Sequence, residues 1–170
     1  MKRSKEKITL SILLAAVLVV GIVGYMIYVQ HQFYTESTKN LLETYEQVDK
    51  TFTMFAQRNW NVLSEWGSNL QDDGDGEAVR ASLCLFNQQK PTWKYSGLYL
   101  FNEDCTYLDA ESGHGSAKHI WGAFSEMYIT GLPCVGSYTM KNGERRVVFT
   151  VPIEPVKVDG ETYTCIAVSY

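Results

Sequence analysis

Several motifs that would mark an enzyme are missing from this sequence. It contains no G-x-S-x-G, no H-E-x-x-H and no Gly-rich phosphate-binding loop, which argues against a serine esterase, a zinc protease and a nucleotide site. His114 and His119 are five residues apart without that zinc order, and they are interpreted as polar loop residues. Asp104 and Asp109 flank a predicted hairpin and are interpreted as solvated. The chain is therefore predicted to be non-enzymatic, with no cofactor and no metal.

The cysteines form no C-x-x-C pair. Cys84, Cys105, Cys134 and Cys165 are widely spaced, which argues against a zinc site or a thioredoxin-like redox motif. In an oxidising compartment they could form one or two disulfides, with three full pairings. Alternatively they are small buried apolar residues, and the apolar alternation around Cys165 favours this for that residue. The sequence leaves both interpretations open.

A basic stripe is also missing. The whole chain carries a net charge of −4, and its first seven residues contribute four positive charges against one negative. The remainder is therefore at −7. Nucleic acid is not expected as a partner of such an acidic domain.

Charge is absent throughout residues 8–29. At 1.5 Å per helical residue this run is about 33 Å long, enough to cross the hydrocarbon core of a bilayer. Tyr25 and Tyr28 lie at its far end, where aromatic rings prefer the interface. The basic residues before the run keep that side in the cytoplasm. We expect a cytoplasmic tail at 1–7, a transmembrane anchor at 8–29 and an extracytoplasmic domain at 30–170 in a single-pass cell-membrane protein.

The same run is too long for a cleaved signal peptide. A cleavable apolar region usually has about 7–15 residues and ends in a small-x-small site. Here the run ends in Tyr25-Met-Ile-Tyr-Val-Gln30. An uncleaved anchor is therefore expected.

One long helix is predicted at 30–70, which has no proline and no glycine before Gly67. A seam of residues follows the alternating four-and-three spacing of a coiled coil: Leu41, Tyr45, Val48, Phe52, Phe55, Asn59, Val62 and Trp66. Asn59 would fix the register of a homodimer through this helix. Alternatively, the seam packs on the chain's own sheet. A weaker second stripe holds Leu42, Met54, Leu63 and Leu70.

The rest of the chain predicts an α+β domain. Residues 72–76 read as a polar turn, 77–88 as a short helix before Pro91, and 120–127 as a helix inserted between strands. A period of two predicts strands at 97–101, 105–109, 136–140, 145–153 and 162–169. Asn-Gly and Asp-Gly turns join the last three strands. The predicted fold is thus a transmembrane helix continuing into a long helix, then a five-stranded antiparallel sheet with a helical insertion.

This order of parts resembles the Cache type of the PAS-like fold, found in the extracytoplasmic sensor domains of bacterial transmembrane receptors such as sensor histidine kinases. The first hairpin, residues 98–109, and the closing strands, 147–153 and 162–168, carry the resemblance together with the anchor and long helix. Amino-acid-binding members have an Arg-x-Trp-Tyr signature, whereas this chain has Lys118-His-Ile-Trp-Gly-Ala123. The resemblance therefore does not imply an amino-acid ligand.

Such receptors usually continue into a second sensing module and a cytoplasmic output region, while this sequence ends at Tyr170. We expect either part of a longer receptor or a stand-alone anchored sensor. The expected function is the signal-input module of a histidine kinase or diguanylate cyclase. The alternatives are a pilin-like subunit and a scaffold that dimerises through the long helix. A type IV pilin keeps a processing Gly and a Glu near the start of its apolar run, and neither occurs here.

By the resemblance, an unknown small-molecule ligand would lie between the sheet and the insertion. The residues expected to line this site are Tyr99, Phe101, Tyr107, Trp121, Tyr138 and Phe149. Arg145 or Arg146 would bind an anionic group of the ligand. Alternatively, these aromatic residues form only the core. The face that each one occupies depends on the strand register, which the sequence does not fix.

Overall fold

The N-terminal part of the chain is one helix, α1, at Lys2–Ser68. The computed structural model describes residues 2–70, 76–111 and 113–170, with side chains from Leu13 onward. In the described residues, α1 contains one exposed stretch that is long and apolar enough to cross a membrane. The helix thus continues from the predicted span into the predicted long helix. The polar turn predicted at 72–76 lies almost wholly outside the described residues.

The chain divides into two compact units. The first ends at Thr51, and its described residues all belong to α1. The second unit is Phe52–Tyr170 and contains the end of α1 and every other element. All residues of the predicted ligand site belong to this second unit.

The second unit is built around a sheet with strand order β3-β2-β1-β6-β5-β4, in which every neighbouring pair is antiparallel. Two short helices come before the sheet, and a helical insertion of residues 118–130 follows the third strand. The helices are α2 at Glu77–Asn87, α3 at Lys90–Trp93, a 3-10 helix at Lys118–Ala123 and α4 at Ser125–Thr130. The strands are β1 Gly97–Phe101, β2 Thr106–Asp109, β3 Gly113–Ser116, β4 Cys134–Thr139, β5 Arg145–Val158 and β6 Glu161–Ser169.

The sheet therefore has six strands, and the prediction of five was wrong. The additional strand β3 was predicted to be a loop because its two glycines interrupt any apolar alternation. It forms because its backbone pairs with β2, where Tyr107 lies opposite Gly115. A methyl group at Gly115 would overlap the Tyr107 ring, so the ring covers a glycine that has no side chain of its own to pack.

The predicted Asp-Gly hairpin turn is confirmed by its backbone geometry. Asp159 and Gly160, between β5 and β6, have φ angles of 54° and 83°. Two consecutive positive φ angles are typical of the type I′ turns that join antiparallel strands. Strand β5 extends five residues beyond the predicted end at 153, with an irregular register between Pro152 and Val156.

One face of the sheet packs against α1 and α2. Ala56 and Leu63 from α1 and Val79 and Leu83 from α2 are buried there. The buried strand residues on this side are Leu98, Leu100, Leu108, Phe149, Val151, Val156, Val158, Tyr163, Ile166 and Val168. The other face carries a separate core beneath the helical insertion, so the sheet is covered on both sides.

The predicted dimer seam divides into two parts. Asn59 is 3% exposed, and Trp66 stacks on Phe86 with ring centroids 5.1 Å apart. The later part of the seam, Asn59, Val62 and Trp66, thus packs on its own domain. Asn59 was predicted to set the register between two helices, and this prediction is corrected because the residue is buried within one chain. Leu41, Tyr45 and Val48 are exposed, and Phe52 and Phe55 are 46% and 41% exposed although their rings contact Phe149.

The four cysteines are free thiols. Cys84 is exposed on α2, whereas Cys105 and Cys134 are half-buried. Cys165 is fully buried on β6, and burial raises the pKa of its thiol. Its predicted role as a small buried apolar residue is confirmed.

Candidate functional site

Five of the predicted lining residues lie together on the sheet face below the helical insertion. Because side chains alternate along a strand, Tyr99 and Phe101 of β1 share this face. Tyr107 from β2 joins them, with ring centroids 5.6 Å from Tyr99 and 5.8 Å from Phe101. Tyr138 from β4 and Trp121 from the insertion belong to the same cluster. We call this group the aromatic face.

The insertion contributes two aromatic residues that the sequence did not predict for this site. Phe124 packs on Phe101 at a centroid distance of 4.1 Å, and Tyr128 stacks on Trp121 at 5.1 Å. Phe124 is buried, while Trp121 and Tyr128 remain half-exposed. Both added residues follow from the helical spacing of the insertion, since Trp121, Phe124 and Tyr128 fall three and four positions apart.

The insertion is anchored to the sheet by a close backbone approach. The carbonyl of Ala123 lies directly over Gly136 in β4, so closely that a methyl group at Gly136 would overlap it. Only glycine permits this distance. The position of the 3-10 helix above the aromatic face therefore depends on Gly136.

Phe149 lies on the opposite face, and its prediction as a lining residue is not supported by its placement. It is fully buried and meets Phe55 of α1 edge-on at 5.4 Å. The reason is strand register: Val148 of β5 belongs to the aromatic face, so Phe149 next to it points the other way.

The same alternation separates the two candidate arginines. Arg146 pairs in register with Tyr138 and shares its face with Val148, two residues further along the strand. Arg145 is exposed and has the parity of the opposite face. Arg146 is therefore the arginine that can serve the aromatic face.

The charge of Arg146 is held by its surroundings. Its Nε donates to Oε1 of Glu144 at 3.3 Å, and its side chain is 19% exposed. Partial burial lowers the pKa of this guanidinium, but the hydrogen bond and charge of Glu144, with Tyr138, raise it by more. The pKa of Glu144 is in turn lowered by Arg146. Because Glu144 is exposed, an incoming anion could replace it at Arg146 at little cost.

Further polar groups surround the hydroxyl of Tyr99. A methyl group at Gly97 would overlap this hydroxyl, so the Tyr99 ring lies back over Gly97 and reaches Ser169 on the neighbouring strand. Ser169 is fully buried, and its hydroxyl lies beside that of Tyr99 without the geometry of a full hydrogen bond. Ser169 could not be singled out from the sequence, since no residue pattern determines the register of β6 against β1.

Charges of both signs act on the same hydroxyl. Burial is the main cause that raises the pKa of Tyr99, and the nearby Tyr138 and Asp109 raise it further, while Ser169 and Arg146 lower it. Asp109 lies opposite Tyr99 in the β1–β2 register. It was predicted to be solvated, although its alternation with Tyr107 in β2 could have assigned it to this face.

The aromatic face thus combines flat apolar walls with one arginine, one carboxylate and several hydroxyl groups. Ligand sites in proteins are mostly apolar and aromatic, with a few polar groups that fix the orientation of the ligand. In the described residues, no group of three or more His, Cys, Asp or Glu side chains is placed to hold a metal ion. The arrangement is suited to non-covalent binding of a small organic molecule.

No protein-family model and no curated protein sequence matches this chain. The ligand-binding domain of the Campylobacter jejuni chemoreceptor Tlp3, in complex with 4-methylisoleucine, matches with a TM-score of 0.52 at 12% identity, over 71% of this chain and 52% of that chain. The ligand-binding domain of the Pseudomonas aeruginosa PAO1 amino acid chemoreceptor PctC, in complex with GABA, gives 0.47 at 14% identity, over 66% and 54%. A histidine kinase extracellular domain, mmHK1S-Z2, gives 0.48 at 14% identity, over 70% and 54%.

The match to the Tlp3 domain concerns the fold, because the identity is low. The chain spans about half the length of the solved domains that it matches. The α+β architecture predicted from the sequence is confirmed by this match, with a sixth strand added. The chain shares the fold of about half of this chemoreceptor ligand-binding domain, in agreement with its predicted resemblance to Cache-type domains.

Proposed function

We propose that this chain is the extracytoplasmic sensing module of a bacterial transmembrane receptor and binds a small molecule at the aromatic face. The observation that carries the proposal is the convergence of Tyr99, Tyr138 and Arg146 on the sheet face below Trp121 of the helical insertion. The fold shared with a chemoreceptor ligand-binding domain supports it. No catalytic step is assigned to these residues.

The ligand class follows from the chemistry of the site. Arg146 offers a planar guanidinium that binds carboxylate or phosphate through two parallel hydrogen bonds. The rings of Tyr99, Tyr138 and Trp121 offer flat apolar surface for the body of the ligand. We infer a small carboxylate with an apolar or flat body. The Tlp3 domain was solved with 4-methylisoleucine, which carries a carboxylate.

The membrane arrangement follows from the charge pattern. Residues 1–7 would remain in the cytoplasm, 8–29 would cross the membrane, and 30–170 would lie outside. Because α1 is one helix from Lys2 to Ser68, it joins the anchor directly to the domain that carries the aromatic face. In a longer receptor the output would be a histidine kinase or a diguanylate cyclase.

A homodimer is part of the same proposal. Leu41, Tyr45 and Val48 are 69%, 70% and 62% exposed, and their spacing is that of a coiled-coil seam. Burying such side chains against a second copy would stabilise the dimer by removing apolar surface from water. This exposed stripe also favours the second candidate function, a scaffold that dimerises through α1 and binds no small molecule.

Thermal unfolding distinguishes the two functions. The full chain in detergent micelles would be melted with small carboxylates, amines, sugars and peptides, and followed by the fluorescence of its tryptophans, all of which lie in the second unit. A ligand at 100 times its dissociation constant adds about 2.7 kcal/mol of stability. We expect carboxylates to raise the midpoint. A folded dimer that no compound stabilises would support the scaffold instead.

A further inference from the structure

Two successive residues of α1 are hydrogen-bonded to two places on the sheet, the end of β6 and the start of β4. Oδ1 of Asn59 accepts a bond of 2.6 Å from the hydroxyl of Tyr170, directly after β6. Nε1 of Trp60 donates at 3.2 Å to the carbonyl of Cys134, the first residue of β4 after the helical insertion. A single turn of α1 thus contacts Tyr170, directly after β6, and the start of β4, the strand that follows the insertion.

Tyr170 is joined to the polar groups of the site through the backbone. Tyr170 and Val147 exchange two hydrogen bonds, of 2.8 and 3.0 Å. Their immediate neighbours in the chain are Ser169 and Arg146, whose side chains lie on the aromatic face. Because successive residues of a strand point to opposite faces, a shift of Arg146 and Ser169 moves Val147 and Tyr170 on the side of α1.

Cys134 provides the second connection. Its carbonyl accepts the bond from Trp60 and another of 3.2 Å from Oγ1 of Thr150 in β5. Three residues before β4, Gly131 ends α4 with a φ angle of 65°. A rotation of the insertion over the aromatic face would therefore act on the carbonyl that holds Trp60.

Loss of the hydrogen bond between Tyr170 and Asn59 would destabilise the domain, because the Asn59 amide is buried. Asn59 is buried, and its Nδ2 is bonded to the carbonyl of Phe55, one turn earlier. A buried amide that loses its partner bears a desolvation cost. A cavity of about 10 Å³ borders both Asn59 and Tyr170. The stability of the contact therefore depends on where the Tyr170 hydroxyl lies relative to Asn59.

We propose that Asn59 and Trp60 are the positions at which α1 responds to occupation of the aromatic face. Binding at Arg146 shifts the Val147–Tyr170 pair and the end of the insertion, and the bonds of Tyr170 and Cys134 to α1 change with them. This regulation rests on the proposed ligand-binding function. Asn59 and Trp60 act here as positioning residues, because they do not lie on the aromatic face.

A double-mutant cycle tests the coupling without a ligand. The full chain in micelles would be unfolded by urea as wild type, Arg146→Gln, Tyr170→Phe and the double variant. We expect the unfolding constant of the double variant to differ by about fivefold or more from the product of the single effects. For independent sites, the effects of two substitutions on the unfolding constant multiply within about twofold. The matched control combines Tyr170→Phe with His114→Gln, since His114 lies on the remote edge strand β3.

A multiplicative result for Arg146 and Tyr170, within about twofold as in the control, would overturn the coupling. A second measurement applies if one of these variants does not fold. The side-chain amide NMR signal of Asn59 should shift in Arg146→Lys and stay in place in Arg145→Lys. No shift in either would also overturn it. Ligand binding is measured separately by thermal unfolding. If the coupling is absent but a ligand binds, the coupling is overturned and the proposed function stands. If the coupling is present but no compound binds, the proposed function is overturned, and with it the response of α1 to a ligand.

Discussion

The hydroxyl of Tyr170 donates a 2.6 Å hydrogen bond to Oδ1 of Asn59, which lies 111 residues earlier in the chain. The sequence placed Asn59 on a dimer seam, where a buried amide would pair with its copy on a second helix. In the structure Asn59 is bonded within one chain and fixes α1 to Tyr170, the residue directly after β6. The Tyr170 ring also meets Phe55 at 5.3 Å, so the polar bond lies inside an apolar contact.

Removing this hydroxyl should destabilise the domain. In Tyr170→Phe the buried Asn59 oxygen loses its partner, which should lower the free energy of unfolding by about 1–3 kcal/mol. Urea unfolding followed by tryptophan fluorescence measures the change. Tyr128→Phe is the matched control, because the Tyr128 hydroxyl is buried and has no hydrogen-bond partner in the described residues. Equal stability of the two variants would contradict the role of the Asn59–Tyr170 bond.

The contact between Ala123 and Gly136 predicts a second effect. In Gly136→Ala the added methyl group would overlap the Ala123 carbonyl and push the insertion away from the sheet. Such overpacking should cost about 1–3 kcal/mol and weaken ligand binding at the aromatic face. Gly122→Ala, one residue before Ala123, is the control, since nothing lies within 4 Å of its new atom. Similar melting midpoints for both variants would show that the insertion does not depend on Gly136.

A third prediction concerns pH and the turn between β5 and β6. Oδ2 of Asp159 accepts a hydrogen bond of 2.8 Å from Nε2 of His114 and another from Arg80. Both bonds lower the pKa of Asp159, and the bond from His114 has the larger effect. A carboxyl whose pKa is lowered by folding stabilises the fold above its unfolded pKa, and this stability is lost as the pH falls through its folded pKa. Asp159→Asn should therefore be less stable than wild type near neutral pH, with the difference vanishing in acid.

Chemical unfolding at several pH values gives this difference directly. Asp104→Asn, in a turn where the described residues show no ion pair, serves as the control. A gap between wild type and Asp159→Asn that stays constant from neutral to acid would contradict the assignment of the low pKa to Asp159.

The exposed part of the seam predicts the effect of a charge in α1. Val48→Asp places a carboxylate among apolar residues that would face a second copy, so it should weaken the dimer. Sedimentation of the full chain in micelles would show the shift to monomer. Gln47→Asp, next to it and off the seam, should leave the association unchanged. If both variants sediment as wild type does, α1 does not carry the dimer contact.

Residue patterns predicted the elements well where hydrophobic periodicity and turn chemistry agreed. The charge-free run, the long helix and the Asp159-Gly160 turn all follow from local sequence. The strand β3 could not be predicted because Gly113 and Gly115 carry no side chain to show a period. Its strand state comes from pairing with β2 and from the cover of Tyr107, which are tertiary effects.

The candidate site was predicted in part for a related reason. Tyr99, Phe101 and Tyr107 share one face of the sheet, and they were selected because aromatic residues at strand spacing stand out. Phe149 was included wrongly, and Arg145 could not be separated from Arg146, because a shift of one residue in register exchanges the two faces. Only the pairing of Tyr138 with Arg146 determines which arginine serves the aromatic face.

The most direct test of the account is calorimetric titration of the full chain in micelles with the carboxylate that most raises its melting midpoint. Arg146→Gln should weaken binding by about 10–100-fold, because a hydrogen bond to a charged group contributes about 1.5–3 kcal/mol. Arg145→Gln, on the opposite face, should bind as wild type does. Equal affinity of Arg146→Gln and wild type would contradict the assignment of the ligand site to the aromatic face.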